Sequence, residues 1–234
     1  MTEQREQAKT AEGAEPRERD AADILRDAIL RGVFQPAQRL VEAELAAQLG
    51  LPRAALREAL VRLEAEHLVE RQRNVGARVR VISPEEAAEA METRGVLEGL
   101  CAESAVRNAT EADRERLRAL GAELQELVAA GDVLTYSARS DDLHSEIHAL
   151  SGRVVAHRLI GGLRNLCVGY HLRIVLKPGY LPISLSEHLG LIEAVCDGPP
   201  ERAAQLMRVH LFGVRTALDG LLEDRNQVPW MPGA

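Results

Sequence analysis

The sequence predicts a mainly α protein, with an N-terminal winged helix-turn-helix that carries a small β-hairpin wing and a C-terminal all-α helical bundle. Two observations support this fold class. The 234 residues are rich in Ala, Leu, Val, Arg and Glu and only 3% are aromatic, a composition typical of helical proteins. One stretch near residue 75 alternates apolar and polar side chains, whereas the apolar spacing beyond residue 84 is helical.

The segment before residue 67 is predicted to form three helices joined by turns. An apolar face of Ile24, Leu25 and Ile29 marks the first helix, which ends near Gly32. The stretch VFQPAQRL is predicted as a turn. The next two helices are VEAELAAQLG, which stops at a glycine, and LPRAALREALVRLEAE, which carries three leucines on one face.

A β-hairpin is predicted directly after the third helix. LVERQRNVGARVRVI alternates apolar and polar residues on both sides of Asn74-Val75-Gly76, and a glycine-bearing turn between two such runs is typical of a hairpin. Helix, short helix, turn, helix and hairpin is the order of a winged helix-turn-helix. In that domain the second helix of the motif enters the major groove of DNA.

Composition divides the chain into four segments. Residues 1–18 are polar and charged without an apolar face, so we expect a disordered N-terminal tail. The winged helix-turn-helix is predicted at 19–83 and an all-helical bundle at 84–222, with a loose C-terminal tail at 223–234. The helices predicted in the bundle are 85–108, 111–130, 133–151, 154–176, 184–197 and 200–222.

Charge is spread unevenly over a chain whose formal net charge is −7. The excess of basic residues lies within 53–80, with seven Arg against four Glu, which is typical of a nucleic-acid module joined to another domain. There is no apolar run long enough for a membrane span or a signal peptide, and the three cysteines form no CxxC pair. We therefore expect a cytoplasmic protein with reduced thiols and no membrane partner.

Arg53 and Arg57 lie one turn apart at the start of the predicted recognition helix. Both guanidinium groups therefore project from the same side, where arginine binds guanine edges or phosphates. Arginines on the hairpin can follow the DNA backbone, which is a salt-sensitive contribution. The alternative is a solvated face on which these arginines pair with glutamates. The hairpin arginines are Arg71, Arg73, Arg78 and Arg80, and the glutamates are Glu58, Glu64 and Glu66.

Residues 32–79 resemble the N-terminal domain of GntR-type transcription regulators. The similarity rests on the motifs GxFxPxxRL, LAxxLG, RxxLREAL and LVxRxxNxG, all of which this sequence contains. The resemblance implies that two arginines of the recognition helix and the glycine of the wing lie at the DNA. Together with two neighbouring wing residues, they form the predicted DNA-binding set: Arg53, Arg57, Arg73, Asn74 and Gly76.

Three positions depart from the family pattern. Pro52 replaces the usual Ser or Thr before the recognition helix, and proline is accepted in a first helical turn. Ala43 stands where one branch has a DNA-contacting arginine, and His67 replaces the usual glycine before the wing. We expect the first two departures to change which operator is read.

Three histidines of the bundle lie on apolar helix faces. His144 shares its side with Ile147, while His188 and His210 fall on the apolar stripes of their own helices. Inward imidazoles from three helices of one bundle can converge on a divalent ion. Taken singly, each is more often a hydrogen-bonded core histidine, and spacing alone does not decide between the two.

The bundle resembles the all-helical FCD domain of the FadR-like GntR branch. Many members bind a divalent metal through an Asp or Asn, a His four residues later and before an SG pair, and two further histidines. The pair Ser151-Gly152 aligns the first of these with His144, so the resemblance implies that His144, His188 and His210 are ligands. Ser140 replaces the acidic ligand, which leaves a neutral three-His set suited to zinc or nickel and makes occupancy variable.

The sequence leaves Ser140 and His148 as alternatives to complete the metal site. His148 lies on the correct face of its helix and is the weaker candidate for a fourth ligand. Asp141 points about 100° away from Ser140 around the helix, so it is a poor replacement for the missing carboxylate.

Arg94 is the predicted effector-binding residue. It lies among apolar residues and therefore points inward, where a guanidinium needs an anionic partner. Glu98, one turn later, is the internal alternative. The resemblance places the arginine of an RxxLE motif near the pocket, and RGVLE has that form. With Arg173 as a weaker second cation, the site suits a small carboxylate such as a hydroxy acid, a dicarboxylate or a sugar acid.

These features favour a DNA-binding transcription regulator whose operator affinity changes when a small organic acid binds near a divalent metal. We expect a homodimer on a palindromic operator in double-stranded DNA. The first alternative is a regulator with a purely structural metal, or none, and no effector. The second is a three-His metal enzyme, which is disfavoured because no general base is evident and an enzyme needs no basic winged helix.

Overall fold

The computed structural model describes residues 20–72 and 76–227, apart from the side chains at 72, 168–169, 172 and 222–227. The predicted N-terminal tail at 1–18 lies outside the described residues. The first domain contains helices α1 (Ala21–Leu30), α2 (Glu42–Leu49) and α3 (Arg53–Ala65), with strands β1 (Arg39–Leu40), β2 (Val69–Gln72) and β3 (Gly76–Val79).

The small sheet forms the predicted wing and one additional edge. β2 and β3 pair antiparallel, with Val69 opposite Val79. β1 pairs with the other edge of β3, placing Leu40 opposite Ala77. The stretch predicted as a turn thus ends in a strand of two residues, which is too short for any alternation of side chains to announce it. The strand anchors the base of the wing to the chain that leads into α2.

α1 and α3 carry the core of the first domain. The Asp20 side chain accepts a hydrogen bond from the Asp23 backbone N–H and so caps α1 at its first turn. Leu25 on α1 and Leu56 and Leu63 on α3 are fully buried against one another and the wing. The winged helix-turn-helix predicted from the order of elements is confirmed.

Helices make up the second domain, as predicted. They are α4 (Pro84–Asn108), α5 (Glu111–Ala130), α6 (Val133–Ser151), α7 (Val154–Val175), α8 (Tyr180–Asp197) and α9 (Pro200–Gln227). α8 begins four residues before the predicted start, because Pro182 lies in its first turn, where a proline interrupts no helical hydrogen bond. α9 continues five residues into the predicted C-terminal tail.

α4 is the central helix of the bundle and packs against α6, α7 and α9. Its contact with α9 is close at Gly99, where an added Cβ would lie 2.9 Å from Arg208 Nε and 3.1 Å from the Ala204 carbonyl oxygen. A side chain at residue 99 would require the Arg208 side chain to move and the α9 backbone to shift by a few tenths of an ångström. The close contact fixes the depth at which α4 and α9 pack, and with it the position of the residues that both helices present to the interior.

The first domain leads directly into the second. Ser83 caps α4 by accepting a hydrogen bond from the Glu86 backbone N–H, and Pro84 occupies the first helical position. His67, between α3 and β2, adopts the left-handed conformation with φ 62°, which explains why glycine is the usual residue there. In the part of the chain that is described, no helix has the length and apolarity of a membrane span.

Candidate functional site

α6, α8 and α9 bring three buried histidines together in the bundle interior. His144, His188 and His210 are 5%, 2% and 3% exposed, and each offers a ring nitrogen within 4.8 Å of the other two. These are the three histidines that the sequence assigns to a metal. Their convergence from separate helices is the arrangement that a divalent ion requires of a bundle core.

Each of the three imidazoles is held at Nδ1 by an oxygen atom. His144 Nδ1 lies 2.7 Å from Glu98 Oε2, His210 Nδ1 lies 2.8 Å from Glu187 Oε2, and His188 Nδ1 lies 3.0 Å from Tyr136 Oη. Since Tyr136 donates its own proton to Ser184 Oγ at 2.9 Å, its oxygen accepts from His188. All three rings are thereby fixed with the proton on Nδ1 and a lone pair on Nε2.

The fit to a metal rests on that shared orientation. Nε2 is the remaining ring nitrogen on all three histidines, and His188 Nε2 is buried with no hydrogen-bond partner among the described residues. A buried polar atom without a partner costs about 1–3 kcal/mol unless something binds it. A divalent ion held by three Nε2 atoms would remove that cost, and oxygen partners on Nδ1 are the usual support for metal-binding histidines.

Glu98 of α4 is the central anion of the site. Its side chain is fully buried and accepts a hydrogen bond from Arg94 Nε at 2.8 Å as well as from His144. Burial by itself would favour the neutral acid, but Arg94 and the imidazoles of His144 and His148 hold the pKa of the Glu98 carboxyl well below its usual value. Glu98 is therefore ionised and acts only as an acceptor.

Two histidines of the converging set, His144 and His188, have lowered pKa values and are neutral near pH 7. Burial lowers the pKa of His144 to about 4, although Glu98 opposes the shift. Burial, followed by the neighbouring His210 and His144, holds the pKa of His188 well below its usual value. Neutral imidazole is the form that binds a metal, so these rings need lose no proton on binding above roughly pH 6.

Neither candidate for completing the triad replaces the missing carboxylate. Ser140 is buried beside the triad, and its hydroxyl donates to the Ser137 carbonyl oxygen at 2.8 Å. His148 groups with Glu98 and His144 rather than with the other two ligands, so the structure does not support it as a fourth ligand. Its Nε2 lies 3.1 Å from Glu98 Oε2 without the alignment of a hydrogen bond.

A cavity of about 460 Å³ opens beside the three histidines. This volume suits a small organic molecule. Arg94 lines it, as predicted, but its guanidinium is bound by Glu98, the internal alternative considered above. Arg173 is exposed and does not line the cavity, so the structure gives no support to its predicted effector role. Arg164, nine residues earlier on α7, lines the cavity instead.

Sequence reasoning missed the residues that support the histidines. Tyr136 lies eight residues before His144, which places both on one face of α6, and this spacing was a usable signal. Glu187 directly precedes His188 but binds His210 of α9. That contact depends on the packing of α8 against α9, which no local spacing reveals.

The predicted DNA-binding residues lie on the recognition helix and the wing. Arg53 and Arg57 are exposed in the first turns of α3, and no side chain caps the start of this helix. Pro52 is its N-cap residue. Gly76 begins β3 with φ 107°, a conformation that side chains other than glycine rarely adopt. Arg73 and Asn74 lie outside the described residues.

Several arginines on this surface are paired with glutamates. Arg57 Nη2 lies 2.9 Å from Glu42 Oε2 of α2, an exposed ion pair that DNA phosphate can replace at little cost. Ion pairs of the kind expected for a solvated face are thus present in the free protein: Arg71 has one of the expected partners, whereas the other arginines pair with different glutamates. The other pairs are Arg71 with Glu64, Arg78 with Glu70, and Arg80 with Glu86, while Glu66 binds Arg26.

Two domain families match the chain. Residues 17–79 match the family described as bacterial regulatory proteins, gntR family, and residues 89–213, more than half of the chain, match the FCD domain. The chain belongs to the GntR family, with an FCD domain. It is therefore a DNA-binding transcription regulator, and the resemblance stated from the motifs is confirmed.

Relatives of this GntR protein are regulators rather than enzymes. It is 30% identical to the HTH-type transcriptional repressor GlaR of Escherichia coli strain K12 over 196 residues, covering 80% of this chain and 89% of the relative. It is 28% identical to a probable D-xylose utilization operon transcriptional repressor of Paenarthrobacter nicotinovorans over 174 residues, covering 73% and 74%. These matches decide against the enzyme alternative.

Solved structures show the same architecture. A putative transcriptional regulator GntR from Rhodococcus sp. RHA1 superposes with a TM-score of 0.66 at 28% identity, covering 85% of this chain and 95% of that one. The E. coli protein McbR/YncC superposes with a TM-score of 0.69 at 22% identity, covering 88% and 96%, and supports the fold alone.

The metal content of the purified protein is the first prediction. Protein prepared without chelator should hold about one divalent ion per chain, because three Nε2 lone pairs converge on one point. His188→Ala should hold far less, as measured by inductively coupled plasma mass spectrometry. His157→Ala, at an exposed histidine of α7, is the matched control and should keep its metal. Equal metal content in all three proteins would contradict the assignment.

The second prediction concerns Glu98. Glu98→Gln should weaken metal binding by about 10- to 100-fold, because the oxygen that fixes His144 loses its charge and its tautomer preference. It should also lower the free energy of unfolding by about 3 kcal/mol, since Arg94 is left buried without a counter-charge. Chelator competition and urea denaturation measure the two effects. Glu103→Gln, in a surface pair with Arg107 on the same helix, should change neither.

Proposed function

We propose that this GntR regulator changes its affinity for an operator when a small carboxylate binds in the FCD cavity beside a divalent metal. The observation that carries the proposal is the set of three buried histidines whose Nδ1 atoms are all bound by oxygen, and which each offer a ring nitrogen within 4.8 Å of the other two. His144, His188 and His210 are the proposed metal ligands.

Zinc or nickel is the proposed metal. Three imidazoles are neutral nitrogen ligands, which zinc and nickel accept better than magnesium or calcium do. Since Ser140 supplies no carboxylate, the full charge of the ion remains available to attract an anion. A carboxylate effector would supply to the metal the oxygen ligand that this chain lacks, while the ion supplies the effector with a positive charge in a buried site.

The cavity adjoins the DNA-binding domain, which supports a regulatory role. Leu30 at the end of α1 is among the cavity-lining residues, together with Asn165 of α7. Asn165 Nδ2 donates to the Glu66 carbonyl oxygen at 2.9 Å, and Glu66 is the C-cap residue of the recognition helix. The Glu66 carboxylate in turn accepts two hydrogen bonds from Arg26 of α1, at 2.6 and 2.7 Å.

These contacts give a physical route from the cavity to the DNA. An effector that contacts α7 and Leu30 favours one placement of the winged helix over another, and operator affinity changes by the difference in its binding to the two placements. We infer a homodimer, because a palindromic operator presents two half-sites to two recognition helices. The two relatives named above are described as repressors. Sequence similarity to them does not fix the direction of regulation by this chain, which a transcription measurement decides.

A structural metal without an effector is the second candidate function. It is favoured by the internal pairing of Arg94 with Glu98, which neutralises the cation predicted to bind the acid. This candidate predicts the same metal content but an operator affinity that no small acid changes.

The third prediction tests DNA binding. Arg53→Ala and Arg57→Ala should each weaken binding to an operator selected from random duplexes by about 1–3 kcal/mol, as measured by fluorescence anisotropy. Where the lost contact is to phosphate, the slope of log K against log salt should fall by about one. Arg118→Ala removes the same charge from α5 and should leave operator affinity unchanged. If Arg53→Ala and Arg57→Ala bind the operator as tightly as Arg118→Ala does, the recognition helix does not contact the DNA through these arginines.

The fourth prediction tests regulation. With zinc-loaded protein and the selected operator, at least one of citrate, malate, succinate and gluconate should change the operator Kd by about 5- to 150-fold. Asn165→Ala should reduce that change, because it removes the bond between α7 and the recognition helix, without altering metal content. An operator Kd that none of the four acids changes favours the structural-metal alternative.

A further inference from the structure

Arg164 is a second cation that lines the cavity, in addition to Arg94. It lies on α7 and lines the cavity together with Asp141 of α6. The two side chains form an ion pair between Arg164 Nη2 and Asp141 Oδ1, with 26% and 44% of their side-chain surfaces exposed. This pair therefore lies where the cavity meets solvent, whereas the Arg94–Glu98 pair lies in the interior.

The two arginines differ in whether they can accept a new anion. The side chains of Arg94 and Glu98 are 11% and 0% exposed, and Glu98 also holds His144 in place. Displacing Glu98 from Arg94 would leave a buried carboxylate without its cationic partner, at a cost of several kcal/mol. Displacing Asp141 returns a half-exposed carboxylate to water, which costs little. Arg164 is thus the cavity cation that can exchange its partner.

The acidic residue of α6 lies one position later in this chain than in the family pattern. The acidic residue expected at 140 is a serine, and the carboxylate occurs one residue later. One step along a helix turns a side chain by about 100°, so the carboxylate meets Arg164 instead of the histidines. In this chain the carboxylate of Asp141 on α6 therefore pairs with Arg164 and does not face the three histidines.

We propose that Arg164 binds one carboxylate of a dicarboxylate effector, in exchange for Asp141, while the metal on the three histidines binds the other. The inference rests on the proposed function and narrows its ligand class. A guanidinium donates two parallel hydrogen bonds to a carboxylate, and the exchange keeps one anion on Arg164 throughout. A monocarboxylate at the metal leaves Arg164 with Asp141 and gains nothing from α7.

The location of Arg164 links this exchange to regulation. Arg164 directly precedes Asn165, whose side chain binds the end of the recognition helix. Release of Asp141 from Arg164 removes a tie between α6 and α7, the helix that contacts the DNA-binding domain. A dicarboxylate would therefore act on α7 through the residue adjacent to the interdomain hydrogen bond.

Isothermal titration calorimetry on the zinc-loaded full chain tests the proposal with pairs of acids matched in carbon number: malonate with propionate, succinate with butyrate, and glutarate with valerate. At least one dicarboxylate should bind about tenfold or more tightly than its partner, the effect of a charge-assisted hydrogen bond. Arg164→Gln should abolish that preference, and Arg164→Lys should keep part of it. Asp141→Asn should increase the affinity for the preferred dicarboxylate, because the competing carboxylate is gone.

Arg158→Gln, at an exposed arginine on α7, is the matched control, and zinc content and thermal unfolding verify that each variant is folded. A dicarboxylate preference that survives in folded Arg164→Gln overturns the inference. If both kinds of acid bind equally and alter operator affinity, the proposed function stands and the role of Arg164 falls. If no acid binds protein that retains its zinc, the inference and the proposed effector class fall together.

Discussion

The buried carboxylate of Glu98 is the interaction on which the arrangement of the FCD domain depends. It neutralises Arg94 on its own helix and accepts the Nδ1 proton of His144 from α6, at 2.8 and 2.7 Å. One anion thereby joins two helices and sets a tautomer. A group with no exposed surface must have all its acceptor sites matched, so α4 and α6 can pack in few other ways. The same constraint makes the site rigid before any ligand arrives.

The proposed binding site has a fixed part, the three histidines, and an exchangeable part, the Arg164–Asp141 ion pair at the cavity. Oxygen atoms from α4, α6 and α8 hold the three imidazoles, so the proposed metal site would require no rearrangement of its ligands. The Arg164–Asp141 pair lies at the solvent side and can be replaced at low cost. Since the cavity also adjoins Leu30 and Asn165, its exchangeable part is the part that lies nearest the DNA-binding domain.

Much of the fold followed from periodicity, and its errors have local causes. Helical spacing of apolar residues predicted all six helices of the FCD domain, because each helix buries one continuous stripe. The errors occurred where a boundary depends on contacts outside the segment: α8 starts before Pro182, α9 extends beyond 222, and β1 exists only because β3 lies beside it. In the same way, α7 carries Arg164 and Arg173 nine residues apart, on opposite sides of the helix. The sequence did not indicate which side faces the cavity.

By itself the sequence determined the DNA-binding module, the family and the three histidines, since these depend on residue identity and on spacing within single helices. The tertiary structure alone decided which atoms those histidines present, because each Nδ1 partner belongs to another helix. It also decided that Arg94 is paired with the buried Glu98, whereas Arg164 is paired with the half-exposed Asp141. A charge is committed or available according to its burial and its neighbours, and both are properties of packing rather than of sequence.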